Sequence, residues 1–166
     1  MVSHWYPIEE SDDTIFVTAP FRHVRSVEMP VSAEETWAAL TGDDVSSWTA
    51  GMKELRWTSE RPFGVGTTRE VRMRGNFVLR ERFYRWEEGY RKTFTGVESS
   101  HPIFRFLAED YVVEPTRHGG SCLTWRFAAQ VRPEWGPFGR LLDWMLFRPV
   151  GRSHIEGMRE RLSVGH

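Results

Sequence analysis

The chain has 166 residues, 40% of them hydrophobic and 27% charged, with a formal net charge of -1. That is the size of one ordinary domain with enough apolar material for a core, and neither a disordered nor a fibrous composition. The near-neutral charge argues against a nucleic-acid binder that relies on a basic face, and the single cysteine, Cys122, excludes an internal disulfide. Of the 22 basic residues only Lys53 and Lys92 are lysines, an arginine excess that by itself implies no phosphate binding. The opening stretch MVSHWYPIEESDD has acidic and polar breaks where a signal peptide needs an apolar run. The best candidate span, 141–150, is too short to cross a membrane and contains Asp143, Arg148 and Pro149. The expectation is a cytoplasmic protein with no membrane span.

Residues 1–20 read as an arm: Trp5, Tyr6, Ile8, Ile15 and Phe16 are too apolar for a free tail and should pack on the domain formed by 21–166. From Arg22 to Met29 apolar and polar residues alternate, which predicts a strand. Pro30 ends it, and Ser32 with Glu35 offers a capping box for a helix over 33–40, followed by a short second helix ending near Trp48. Alternation then runs for about eighty residues. Strands are predicted around Leu55 and Trp57, then over 67–74, 77–86, 90–97, 106–114 and 122–131, with hairpin signals at Gly75-Asn76, Glu88-Gly89 and Gly119-Gly120. Short connections predict an antiparallel meander. Beyond Gly136 the period becomes helical: Leu141, Trp144, Arg148, Ile155, Met158 and Leu162 form one stripe, and Pro149 should kink or divide the helix.

This order of elements, with the stretches VEMPVSAEETWAALT, RPFGVGTTREVRMRG and AEDYVVEPTRHGGSCLTWRF, resembles the START-like superfamily. That group includes the birch pollen allergen and the polyketide cyclase/dehydrase and lipid-transport families. The resemblance covers about residues 21–163. It implies an α+β helix-grip fold, in which a curved antiparallel sheet wraps a long C-terminal helix and two short helices follow the first strand. It also implies a cavity between sheet and helix for a small hydrophobic ligand such as a lipid, sterol or aromatic polyketide.

Strand parity selects the side chains expected to face that cavity: Arg69, Val71 and Met73; Phe77, Leu79, Glu81 and Phe83; then Phe94, Tyr111, Val113, Leu123, Trp125 and Phe127. The helical stripe adds Trp144, Arg148, Ile155 and Met158. A bulge would flip part of this set. Arg69 and Glu81 fall on the inward parity of neighbouring strands, as a buried ion pair or as a clamp in which Arg69 or Arg148 holds a carboxylate or enolate. Cyclising a polyketone needs a proton acceptor and an enolate donor, roles open to Glu81, Arg69 and Tyr111. His4, His101, His118 and His166 fall in loops or tails, His23 at a strand start, and His154 beside the helical stripe. Cys122 is expected outward at a sheet edge. No zinc-type spacing, phosphate loop or Ser-His-Asp order occurs, so neither a metal nor a cofactor is expected. The expected partner, as the resemblance implies, is a small hydrophobic ligand and no nucleic acid, and a monomer or homodimer is expected. The rival readings are a carrier or sensor, a cyclase/dehydratase, and a regulatory or chaperone-partner domain with a collapsed cavity.

Overall fold

The computed structural model describes residues 2–164, which leaves His166 outside the described residues. A two-residue strand β1 (Tyr6–Pro7) and a one-turn helix α1 (Ile15–Thr18) precede β2 (Phe21–Met29) and α2 (Ala33–Thr41). A 3-10 turn (Asp44–Ser47) leads to β3 (Met52–Trp57), β4 (Thr68–Met73), β5 (Val78–Glu87), β6 (Arg91–Ser99), β7 (Phe104–Pro115) and β8 (Ser121–Val131). The chain ends in α3 (Gly139–Leu142), a π-helical turn (Asp143–Phe147) and α4 (Arg148–Val164). Among the described residues no helix is long and apolar enough to cross a membrane.

The sheet order is β2-β8-β7-β6-β5-β4-β3, so the first long strand pairs with the last and the remainder is a meander. All pairings are antiparallel. Gly75 and Asn76 both take positive φ, the conformation that a two-residue hairpin turn needs. At the start of α2 the Ser32 side chain accepts from the Glu35 N–H while the Glu35 carboxylate accepts from the Ser32 N–H, the reciprocal cap that the sequence predicts. Cys122 lies on β8, an internal strand between β2 and β7, and not at a sheet edge as expected. In the arm, β1 pairs with the far end of β6 beside Val97–Ser99, and Ile15 packs with Ala108 and Ala128.

Alternation places one face of each strand in a common core. Phe83, Phe94, Leu107, Tyr111, Val113, Leu123, Trp125 and Phe127 meet Ile155 and Met158 of α4 and Trp37 and Leu40 of α2. Helix α4 lies close to this face because two of its residues have no side chain. A Cβ on Gly151 would sit 2.1 Å from the Trp125 ring, and one on Gly157 would sit 2.2 Å from the Trp48 carbonyl oxygen.

The N-terminal half of the long helix departs from the predicted stripe. Over Asp143–Phe147 the helix widens, and the Arg148 N–H reaches back five residues to the Asp143 carbonyl. A π-turn takes more residues per revolution and rotates everything before it relative to α4. Gly139, Asp143 and Phe147 therefore face the core, while Leu141, Trp144 and Arg148 face away. Pro149, two residues past the widened turn, lies inside the continuous helix without breaking it, although it has no N–H to donate into the preceding turn. Trp144, expected in the cavity, is 69% exposed.

The close approach of α4 is open to test. Gly151→Ala and Gly157→Ala should each lower unfolding free energy by about 1–3 kcal/mol in urea melts, the usual cost of overpacking. Gly136→Ala, where an added Cβ meets nothing within 4 Å, should stay within about 0.5 kcal/mol of the parent.

Candidate functional site

The inner wall of the sheet carries charge where an ordinary core would be apolar. Arg69 on β4 and Glu81 on β5 are register partners, both buried, and the Arg69 Nε donates to Glu81 Oε2. Three rings surround the guanidinium, Trp57 at 5.3 Å, Phe83 at 5.1 Å and Phe94 at 4.8 Å to their centroids, replacing some of the hydration it has lost. Lys92 on β6 is also buried, and its Nζ donates to the Leu40 carbonyl at 2.6 Å, near the negative end of α2. On β7 the half-buried Glu109 accepts from the Tyr111 hydroxyl at 2.5 Å and from the Trp125 Nε1 at 2.9 Å. From α4 the buried His154 places Nδ1 2.7 Å from Thr49 Oγ1 and its ring edge-on to Tyr111.

This burial moves the ionisation of Glu81, Lys92, Tyr111 and His154. Glu81 is pushed up to about 7: loss of solvent and the nearby Glu109 outweigh the pull of Arg69 and Lys92. Burial and the charge of Arg69 hold Lys92 well below the ordinary lysine range, and Tyr111 is raised by burial and by Glu109. His154, buried and facing Arg69 and Lys92, falls to about 3 and is neutral in ordinary buffers.

Arg69, Glu81, Phe83, Phe94, Tyr111, Trp125, Phe127, Ile155 and Met158 all come together on this wall or on the helix over it. Val71 and Met73 point to the same side but into a separate cluster with Val45 and Leu55, under the 3-10 turn. Trp144 and Arg148 are corrections: the π-turn carries Trp144 out of the interface, and Arg148, the first residue of α4, turns its side chain into the open groove beside β2. The Arg148 side chain is 64% exposed and binds the buried Asp143 at 2.8 Å. Sequence reasoning missed Lys92, Glu109 and His154. The first two share the inward parity of Phe94 and Tyr111, so alternation alone would have found them. Phe83 is inward by simple alternation with Glu81, and a bulge at Tyr84 in β5 brings Trp86 inward three residues later, where its ring lies 5.1 Å from that of Phe83.

Two openings flank α4. A groove of about 590 Å³ runs between the β2 edge and the helix, lined by Arg22, His23, Arg25, Val27, Trp125 and Arg148, among others. Within it His23 Nε2 lies 2.5 Å from Asp143, and Arg25 faces Glu156 at 3.4 Å. The second, about 300 Å³, lies between α2 and the end of α4, beside Ala39, Trp48 and Leu162. Trp125 belongs both to the groove and, through its Nε1, to the buried cluster.

A half-barrel sheet gripping a long C-terminal helix, with polar groups buried on its concave face, defines the helix-grip class of START-like proteins. The chain belongs to the polyketide cyclase/dehydrase and lipid-transport family, whose model matches residues 20–163. It is 34% identical over 146 residues to an uncharacterized protein of Mycobacterium tuberculosis, covering 87% of this chain and 84% of that one. Among solved structures it is similar to a START superfamily protein from Mycobacterium smegmatis, with a TM-score of 0.66 and 16% identity over 85% of this chain and 98% of that one. It is also similar to an aromatase/cyclase from Streptomyces, with a TM-score of 0.68 and 12% identity over 86% and 93% of the two chains. A conserved protein from Geobacillus kaustophilus gives a TM-score of 0.70 at 14% identity, over 88% and 97%. At these identities the structural likeness speaks for the fold.

The raised Glu81 carboxyl has a signed consequence. A folded-state value of about 7 against an ordinary 4.5 means that Glu81 contributes most below about pH 4.5 and that the contribution is lost as pH rises through about 7. The melting temperature of the parent relative to Glu81→Gln should therefore fall steadily across that interval. His154 has the opposite sign, losing stability as pH drops below 6.5, but it is present in both proteins and cancels in the difference. A pH-independent gap would show that Glu81 ionises normally.

Proposed function

We propose that the chain is a carrier or sensor for a small hydrophobic or amphipathic molecule, a lipid, sterol or aromatic polyketide, taken between the sheet and α4. Residues 21–166 form the binding unit and 1–20 an arm upon it, working in the cytoplasm as a monomer or homodimer. The observation that carries this reading is the aromatic concave wall with Arg69, Glu81 and Lys92 buried in it. Desolvating such charges costs several kcal/mol that well-packed apolar residues would not. Their presence is accounted for if they orient the polar end of a ligand whose body lies against the rings. The groove along β2, floored by Trp125 and lined by Arg25 and Arg148, is the entry on this reading.

A panel of fatty acids, sterols and aromatic polyketides tests the proposal by thermal shift and native mass spectrometry. Acid-bearing amphipaths should raise the melting temperature in proportion to the logarithm of concentration. Arg69→Met should weaken an acid by about tenfold or more while affecting its methyl ester far less, since a charge-assisted bond is lost only with the acid. If no member of the panel shifts the melt, the reading fails.

One observation favours a second reading, a cyclase or dehydratase in the same space. Glu81 at about 7 holds a proton acceptor near neutral pH, beside the cation Arg69 that could stabilise an enolate. On that reading Glu81→Gln abolishes turnover of an aromatic polyketide and leaves its binding nearly unchanged.

A further inference from the structure

The rotation caused by the π-turn leaves an apolar face uncovered. Phe138, Leu141, Trp144, Met145 and Leu146 lie within nine residues, and each is between 45% and 69% exposed. They account for half of the large exposed hydrophobic side chains among the described residues; the others are scattered over the arm, β2, two turns and the helix terminus. Arginine frames the patch: Arg140, Arg148 and Arg152 are all exposed, and the only acid between Phe138 and Arg152 is Asp143, buried and occupied by His23 and Arg148. Glu134 precedes the patch and Glu156 follows it, the latter held by Arg152.

We propose that this face, α3 with the π-turn and the first turn of α4, is a docking surface for an anionic lipid bilayer. Apolar side chains including a tryptophan, on a helical face edged with arginine and without free acid, match a headgroup boundary. There the rings enter the acyl edge and the guanidinium groups meet phosphate. Charge complementarity selects this occupant over a second copy. An isologous contact on the patch would set Arg140, Arg148 and Arg152 against the same residues of the other subunit. The proposal does not depend on what the interior binds. It adds that Arg148 lies both at the edge of the patch and in the groove along β2, so docking would bring the groove's opening next to the lipid.

The test is co-sedimentation of the full chain with phosphatidylcholine vesicles, with and without phosphatidylglycerol. The parent should partition onto the anionic vesicles and release them as ionic strength rises. Trp144→Ser should reduce the partition coefficient by about tenfold, the usual worth of burying one large apolar side chain. Arg140→Glu should reduce it by about fivefold or more on anionic vesicles only. Both side chains are exposed, so melting temperatures should stay near the parent's; if Trp144→Ser misfolds, the paired change Leu141→Ser with Met145→Ser repeats the measurement. Absence of binding to anionic vesicles overturns the proposal, as does binding that neither variant weakens. It is overturned too if light scattering shows a dimer that Trp144→Ser dissociates while the parent ignores vesicles, since a second copy is then the occupant.

Discussion

The closeness of α4 to the concave sheet is the constraint on which the rest of the molecule depends. Gly151 lets the helix backbone rest on the Trp125 ring, and Gly157 lets it meet the Trp48 carbonyl. With the helix that low, Ile155 and Met158 are fully buried and His154 is pressed against Tyr111 and Thr49. The same seat fixes the helix rotation, and the chain before it must then find a phase that buries Phe147 against Phe21, Phe104 and Phe127. In a regular α-helix residues four apart drift by about 40° a step, which would spread Gly139, Asp143, Phe147 and Gly151 over about 120°. The π-turn takes up part of that drift and brings the four closer into line on one face.

Under that helix the buried polar side chains comprise one ion pair and several ionisable groups held by neutral donors or acceptors. Arg69 meets Glu81, Glu109 takes two donors, and Lys92 rests on a helix carbonyl. Removing one partner from such a buried pair leaves an uncompensated charge at a cost of about 3–5 kcal/mol, whereas replacing the pair by apolar residues is often neutral. The network is therefore a poor device for stability alone. By contrast, the outer face of the same strands holds Glu70 among Arg72 and Arg80, and Asp110 among Arg91 and Arg126. Glu70 and Asp110 are buried too, but their arginine partners reach solvent, and the several hydrogen bonds and charges on each carboxylate outweigh desolvation and hold it below the usual carboxylate range.

The sheet was legible because alternation is a local property and its inner face is continuous. The meander from β3 to β8, the hairpins and the Ser32 cap follow from side-chain period, turn chemistry and capping, whereas the pairing of β2 with β8 is a long-range contact that no local period marks. Arg69 and Glu81 were legible for the same reason, being polar residues on an apolar parity. Lys92 and Glu109 carried the same signal and were passed over. Trp86 was not readable, since a bulge in β5 has no mark in residue type. The helix failed for a physical reason: periodicity assumes a constant number of residues per turn, and one widened turn displaced Trp144 outward, while His154, set beside the stripe, is buried by its contact with Thr49 and Tyr111. A spacing of four from Gly139 through Asp143 and Phe147 to Gly151 was present in the sequence, but two glycines and an aspartate do not register as an apolar stripe.

One side chain separates the open groove from the buried network. Trp125 shows part of its ring to the groove beside Arg148, stacks beneath Gly151, and donates its Nε1 to Glu109. Joining the two spaces requires either that this indole rotate, which breaks the Glu109 bond and opens the glycine contact, or that α4 rise. The second motion is resisted at its N-terminal end by Asp143, which is held both by His23 on β2 and by Arg148 on the helix itself. Of the two, only His23 ties the helix to the sheet there, and Arg25 to Glu156 is a long, half-exposed contact. Exposed ion pairs of that kind contribute little. The β2 side of α4 is thus the weakly fastened one, and on the reading proposed above a ligand would enter between sheet and helix along that edge.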